Sequence, residues 1–168
     1  EKANKRLMKS ATTDALTGLS NKRELQRWLK LEAERIARKN SDCITAIFID
    51  LDNFKYYNDT FGHHAGDFLL QRFANLLKEN YRYVDFIVRY GGDEFLVLLS
   101  DTGTERAIMS VDRLYGRLAE LEYFTPDLAK FLAKDIEIPA SCKLNFSAGI
   151  SSQDENMSLE QLIVTADQ

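Results

Sequence analysis

Two adjacent carboxylates, Asp93 and Glu94, follow the glycine pair Gly91-Gly92 between two short apolar runs. These runs, 85–90 and 95–99, are rich in β-branched and aromatic residues, and a glycine pair between such runs indicates a tight β-hairpin turn. Carboxylates at a hairpin tip can ligate a divalent cation and assist proton transfer. In an arbitrary hairpin, acidic residues more often only solvate the turn.

A second acidic pair ends another apolar run. Residues 46–49 are apolar, and Asp50, Asp52 and Lys55 follow shortly after. A buried strand that ends in Asp-x-Asp delivers oxygen ligands to a Mg²⁺ that bridges nucleotide phosphates. Side chains alternate along a strand, so both carboxylates lie on one face, and one of them could instead face solvent or cap the next turn. The pattern favours a metal shared by Asp50 and Asp93.

A polar stretch punctuated by glycines runs from Asn58 to Asp67 and opens a helix. An amide and a carboxylate here could read the edge of guanine, because a carboxylate accepts from guanine N–H groups and an amide both donates and accepts. The commoner use of both residue types at such a place is to cap a helix. His63 and His64 are the only histidines, which excludes a histidine metal cluster and leaves packing or hydrogen bonding at the helix start.

A fourth motif, Asp14-Ala15-Leu16-Thr17-Gly18-Leu19, precedes the other three. Together the four motifs resemble the diguanylate cyclase family, whose signature GGDEF stands here at residues 91–95, and the resemblance covers about residues 9–168. It implies an α/β (α+β) fold of the nucleotidyl cyclase and polymerase-palm type, with a central mixed, mainly antiparallel sheet flanked by helices. It also implies a cyclase domain over 13–168, preceded at 1–12 by the end of a linker helix.

The resemblance implies that two GTP molecules condense to cyclic di-GMP and pyrophosphate, with each domain of a homodimer holding one GTP. Asp93 would help to deprotonate the attacking 3′-hydroxyl, with Glu94 as its catalytic neighbour. Mg²⁺ or Mn²⁺ would be the cofactor. Its implied ligands are Asp50, the Leu51 carbonyl, Asp93 and Glu94.

The substrate-binding residues are also implied by the resemblance. Asn58 and Asp67 match the guanine-reading pair. Lys55 and the backbone at Asn53 and Phe54 would hold the triphosphate, beside the hairpin glycines Gly91 and Gly92. Family members continue past Ala166-Asp167 into a helix whose Lys and Arg also hold the triphosphate, whereas this sequence stops first, so we expect a truncated C-terminal helix.

Arg82 and Asp85 stand at the offset where family members carry an RxxD site for the inhibitory product, cyclic di-GMP. The planar arginine fork suits bidentate contact with guanine or phosphate. The alternative is an exposed ion pair of little energetic value.

Composition excludes some partners. The 168 residues carry 22 basic and 26 acidic side chains, a net charge of −4, without a basic stretch of the kind that binds nucleic-acid polymers. No apolar run is long enough to span a membrane. We therefore expect a cytoplasmic domain without membrane contact, controlled by an upstream sensor or receiver domain. Cys43 and Cys142 are expected to be small core residues rather than a disulfide.

Three other functions stay open. The domain could be an inactive receptor for cyclic di-GMP or GTP, a cyclase that makes a mixed GMP–AMP dinucleotide, or a scaffold that binds no guanine nucleotide. Asp67 favours guanine over adenine. For the segment from Tyr123 to Ala140 the sequence predicts less regular structure, and it indicates no function there.

The sequence also predicts where three helices begin. Asn21 with Glu24, and Ser158 with Gln161, have the spacing of a capping box, and a further helix is expected from about Gly66, after a turn.

Overall fold

The computed structural model describes residues 11–39, 43–154 and 157–168. The predicted linker helix at 1–12 falls almost wholly outside these residues. Within the described ranges, six α-helices and four strands follow in chain order. The helices are α1 (Lys22–Lys39), α2 (Phe54–Phe61), α3 (His63–Asn80), α4 (Thr104–Glu120), α5 (Thr125–Leu132) and α6 (Leu159–Ala166), and the strands are β1 (Ile44–Asp52), β2 (Phe86–Arg89), β3 (Glu94–Ser100) and β4 (Asn145–Ser152).

The four strands form one sheet in the order β2-β3-β1-β4. All three strand pairs are antiparallel, and a single parallel bridge joins Ser20 to Val88. Helices flank this sheet, which confirms the predicted mixed, mainly antiparallel α/β architecture.

Both faces of the central strand β1 are covered, which explains its unbroken apolar run. Ile47, Ile49 and Leu51 belong to a core shared with α3, α4 and α5. Ala46 and Phe48 alternate to the other face, where they pack with α1 and α6. Asp50 is the first exposed residue of the strand, so the carboxylates begin where the helical cover ends.

The two predicted helix caps are present. Asn21 accepts a hydrogen bond from the Glu24 N–H at 2.9 Å and so caps α1. Ser158 and Gln161 form a reciprocal capping box at the start of α6. None of the helices in the described ranges is long and apolar enough to cross a membrane. Both cysteines are free and only partly buried.

Two helices were not predicted. The stretch taken as a turn from Asn58 contains the last residues of α2, and α3 begins at His63 rather than near Gly66. Gly62, with φ of 89°, separates the two helices, a conformation that glycine adopts without a Cβ penalty. Helix α5 lies in the segment predicted to be irregular, and Pro126 stands in its first turn, where a missing N–H costs nothing.

Candidate active site

The end of β1 and the β2–β3 hairpin bring the two acidic pairs together. Asp50 stands directly opposite Glu94 in the register of β1 and β3. One step further, the Leu51 N–H donates to the Asp93 carbonyl at 3.1 Å. The Tyr90 N–H donates to the Glu94 carbonyl at 2.8 Å and closes the hairpin turn. The predicted hairpin is therefore present, with Asp93 in its turn and Glu94 as the first residue of β3.

The pKa of Asp50 is raised above its ordinary value. Partial desolvation is the largest cause, and repulsion from neighbouring carboxylates adds to it. These neighbours are Asp93, Glu94, Asp52 and Asp167. Negative charge thus accumulates at this end of the sheet.

The donors here suit a hard divalent cation such as Mg²⁺ or Mn²⁺, which prefers carboxylate and carbonyl oxygens. In an antiparallel strand, the C=O of a residue points to the same side as its N–H, so the Leu51 C=O points to the side of Asp93. Leu51 directly follows Asp50, which is paired with Glu94. Within the described ranges, no three His, Cys, Asp or Glu side chains are already gathered as metal ligands. The residue types and their charge suit a cation. The carboxylate side chains would have to rotate to bind one together.

The hairpin glycines differ in their surroundings. A Cβ built on Gly91 would lie 2.0 Å from the Glu94 Oε2, so the carboxylate folds back over this glycine. A Cβ on Gly92 would meet nothing within 4 Å. Gly91 therefore leaves room for the Glu94 side chain, and the predicted substrate contact of both glycines stays a prediction.

Arg89 holds the hairpin tip, a role that the sequence analysis missed. Its Nη2 donates to the Gly92 carbonyl at 2.9 Å, and its Nη1 lies 3.2 Å from both carboxylate oxygens of Asp14. Both side chains are largely buried, with 17% and 22% exposed. Asp14 opens the motif at residues 14–19, so this motif contacts the acidic hairpin through the Arg89 guanidinium group. The motif itself was visible in the sequence. No local pattern identified Arg89, which lies 75 positions further along the chain, as the partner of Asp14.

We expect Asp14 to stabilise the fold in a pH-dependent way. Partial desolvation raises its pKa, but hydrogen bonds from Thr17 and Arg89 outweigh this, and the pKa lies below its ordinary value. A depressed pKa stabilises the fold above the unfolded-state pKa of about 4, and this contribution is lost as pH falls through the folded-state value. In urea unfolding at pH 7, Asp14→Asn should lose about 1–2 kcal/mol of unfolding free energy. The difference should shrink in acid; a constant difference at every pH would contradict the expectation.

The candidate guanine-reading residues lie on two neighbouring helices. Asn58 is inside α2 and Asp67 is inside α3, and Gly62 is the N-cap of α3. The capping alternative for Asn58 and Asp67 is therefore wrong. A Cβ on Gly66 would lie 1.9 Å from the Asn58 Oδ1. Gly66 thus allows the Asn58 amide to lie against α3, next to the exposed Asp67.

Gly66→Ala is expected to displace the Asn58 amide and to weaken GTP binding about tenfold, the free-energy equivalent of one lost polar contact. Titration with GTP measures this effect. Gly116→Ala is the matched control, because Gly116 is also helical and a Cβ there meets nothing within 4 Å. The control should leave binding unchanged and stabilise α4 by up to about 1 kcal/mol. Equal GTP affinities for both variants would contradict the expectation.

The predicted triphosphate-binding residues occupy the start of α2. Asn53 is the single residue between β1 and α2 and has a left-handed backbone with φ of 64°. Lys55 is exposed, and its Nζ lies 3.8 Å from the Asp59 Oδ2. An exposed ion pair contributes little free energy, so Lys55 can leave this pair to bind a phosphate.

A cavity of about 350 Å³ adjoins Asp50. It extends to Gly149 on β4 and to Asp167 after α6. A Cβ on Gly149 would lie 1.8 Å from the Ala166 carbonyl oxygen, so the end of α6 packs directly on β4. This close packing brings Asp167, which the sequence analysis did not select, to the edge of the acidic site.

Arg82 and Asp85 lie in the connection between α3 and β2. The Arg82 Nη2 donates to the Asp85 Oδ1 at 2.9 Å, and the Arg82 N–H donates to the Asp85 Oδ2 at 2.8 Å. The arginine side chain is 60% exposed and the aspartate 3%. A cavity of about 270 Å³ adjoins the pair and is also lined by Arg106 and Arg113.

The antiparallel sheet has helices on both faces and an acidic hairpin beside its central strand, which is a palm-type α/β fold. The chain belongs to the family described as diguanylate cyclase, GGDEF domain, whose model matches residues 11–168.

Known proteins agree with this assignment. The chain is 37% identical over 158 residues to diguanylate cyclase DgcP of Pseudomonas aeruginosa, covering 94% of this chain and 22% of that protein. It is 43% identical over 104 residues to response regulator PleD of Caulobacter vibrioides, covering 62% of this chain and 23% of that one. The chain thus spans less than a quarter of the length of both relatives.

A solved structure shows the same fold. The coiled coil and GGDEF domain of DgcB from Caulobacter crescentus, in complex with c-di-GMP, has a TM-score of 0.78. It is 19% identical, and the match covers 99% of this chain and 82% of that one.

Proposed function

We propose that this domain is a diguanylate cyclase that condenses two GTP molecules into cyclic di-GMP. The observation that carries the proposal is the meeting of Asp50, Asp93 and Glu94 at one end of β1, one residue before the helix that bears Lys55 and Asn58. This arrangement places candidate cation ligands next to candidate phosphate and guanine contacts. Family membership and the relative DgcP, a diguanylate cyclase, support it.

In this reaction the 3′-oxygen of one GTP attacks the α-phosphorus of the other in line, and the bond to pyrophosphate breaks. Asp93 accepts the 3′-hydroxyl proton. A second, identical step forms the other phosphodiester bond, releases the second pyrophosphate and closes the ring. Asp67 and Asn58 hold the guanine, and Lys55 with the backbone of Asn53 and Phe54 holds the triphosphate. Asp50, the Leu51 carbonyl, Asp93 and Glu94 would hold a divalent cation, Mg²⁺ or Mn²⁺, which would neutralise charge at the phosphates.

The product is symmetric, so each of two domains contributes one GTP, and a twofold homodimer is the natural arrangement. Aligning the two bound nucleotides supplies a large share of the rate enhancement. We also propose that an upstream domain controls this encounter, since the relative PleD is a response regulator and both relatives are far longer than this chain.

Mass-spectrometric product analysis tests the function. The chain is incubated with equal concentrations of GTP and ATP, with Mg²⁺ or with a chelator. We expect cyclic di-GMP with Mg²⁺ and none with the chelator. A mixed GMP–AMP product would overturn the proposed specificity, and binding of guanine nucleotides without any product would support the receptor function.

Product inhibition is proposed at Arg82 and Asp85. The exposed guanidinium beside a cavity with two further arginines supports binding of a polyanionic cyclic dinucleotide. Arg82→Ala should raise the half-inhibitory concentration of cyclic di-GMP about tenfold, the loss of one charge-assisted hydrogen bond. Arg27→Ala, which removes another exposed arginine paired at i,i+3, is the control. Unchanged inhibition in Arg82→Ala would exclude this site.

A further inference from the structure

The segment from Glu122 to Leu144 includes residues 123–140, for which the sequence predicted no function, and it contacts α2 at three points. At the end of α2, Lys134 Nζ lies 5.6 Å from the centre of the Phe61 ring. In its middle, the buried Tyr57 hydroxyl accepts a hydrogen bond from the Leu144 N–H at 2.8 Å. At its beginning, the Asn53 side chain donates to two carbonyls of this segment.

The contact at Asn53 is the most specific of the three. Its Nδ2 donates to the Ser141 carbonyl at 3.2 Å and to the Lys143 carbonyl at 2.9 Å. Both donors of one amide are therefore used by a single turn of the chain about 90 residues away. The turn is itself closed by the Cys142 N–H, which donates to the Pro139 carbonyl at 2.8 Å.

Asn53 also determines the angle between a strand and a helix. Strand β1 ends at Asp52, which accepts hydrogen bonds from the Ser147 hydroxyl, and α2 begins at Phe54. Asn53 is the only connecting residue, with φ of 64° and ψ of 9°. Asparagine tolerates this left-handed conformation, and the Asn53 side chain makes no capping hydrogen bond to α2 itself. The two side-chain hydrogen bonds to the distant turn instead hold this conformation.

We propose that Asn53 is a positioning residue: its side-chain amide, held by the Ser141 and Lys143 carbonyls, fixes the start of α2 for binding of the GTP triphosphate. This inference rests on the proposed function and deepens it, because it assigns a role to the side chain, whereas the nucleotide contact belongs to the backbone. The segment Glu122–Leu144 thereby acts on nucleotide affinity without touching the nucleotide itself.

The test compares a guanine nucleotide that carries the β- and γ-phosphates with one that lacks them. Asn53→Gly keeps the left-handed backbone accessible and removes the side chain with its amide, so that this backbone conformation is no longer held by the Ser141 and Lys143 carbonyls. Equilibrium binding is measured with Mg²⁺ for 3′-deoxy-GTP, which lacks the attacking hydroxyl, and for GMP. We expect about fivefold to tenfold weaker binding of 3′-deoxy-GTP, the equivalent of two exposed hydrogen bonds, and GMP affinity within about twofold of the unaltered chain.

Tyr57→Phe is the matched control, because it removes another hydrogen bond between α2 and the same segment, away from the phosphate end. It should lower the melting temperature and leave the ratio of the two affinities unchanged. Equal losses for both nucleotides in Asn53→Gly, or no loss in either, would overturn the positioning role. If the unaltered chain binds neither nucleotide, the proposed function itself fails, which is a distinguishable result.

Discussion

Asp93→Asn is expected to reduce the rate of cyclic di-GMP formation at least about 10²-fold, because it removes the proton acceptor and one cation ligand together. The amide has nearly the same shape, and the backbone bond between the Asp93 carbonyl and the Leu51 N–H is retained. The melting temperature should therefore stay within about 2 °C of the unaltered chain, since surface substitutions usually change stability little. Initial rates of product formation at saturating GTP and Mg²⁺ measure the effect.

Asp101→Asn is the matched control for this substitution. Asp101 directly follows β3, at the end opposite the hairpin, and has a left-handed φ of 51° that asparagine also tolerates. Its rate should equal that of the unaltered chain. If Asp93→Asn retained more than about a tenth of the activity, the catalytic role of the hairpin would be untenable.

Asp67→Asn is expected to lower kcat/KM for GTP about 10²-fold and to erode the preference over ATP. A carboxylate at this exposed position on α3 accepts from guanine N–H groups, whereas an amide presents its own N–H to them. Leaving polar groups unpaired in a recognition site costs about 1–3 kcal/mol each, which corresponds to losses of this size. Competition between GTP and ATP, followed by product analysis, measures the effect.

Asp59→Asn controls for the loss of one negative charge near the substrate. Asp59 is an exposed carboxylate on α2, beside Asn58, and its Oδ2 lies 3.8 Å from Lys55 Nζ. Removing this weak pair should change kcat/KM less than about twofold, since exposed ion pairs contribute little. Comparable losses in Asp59→Asn and Asp67→Asn would indicate a general charge effect and count against guanine recognition by Asp67.

Local chemistry accounts for what the sequence predicted well. The Gly91-Gly92 turn and the capping box of Ser158 and Gln161 depend on residues within a few positions of each other, so their patterns are readable in the chain. The apolar run before Asp50 likewise predicted a buried strand, and the structure shows that both of its faces are covered. The family motifs added the expected roles of the carboxylates, which the antiparallel register of β1 and β3 then brought together.

The helices α2 and α5 were missed because each has only eight residues, too few for the apolar spacing to exceed chance, and neither begins with a side-chain cap. The helix α6 is equally short, but its capping box marks its start. Gly66 was visible in the sequence, but its contact with Asn58 was not, because Asn58 belongs to the helix α2, which was not predicted. The Gly62 conformation that separates α2 from α3 became evident only in the structure.

The sequence alone determined the family, the sheet's main strands and the residue types that can bind a cation and a purine, because these depend on motifs and short-range periodicity. The tertiary structure alone decided which groups hold those residues in place. Arg89 joins Asp14 to the hairpin across 75 residues, and the Asn53 amide reaches Lys143 across 90. Such contacts form only when packed helices and strands bring distant segments within hydrogen-bond distance, and no local pattern encodes that distance.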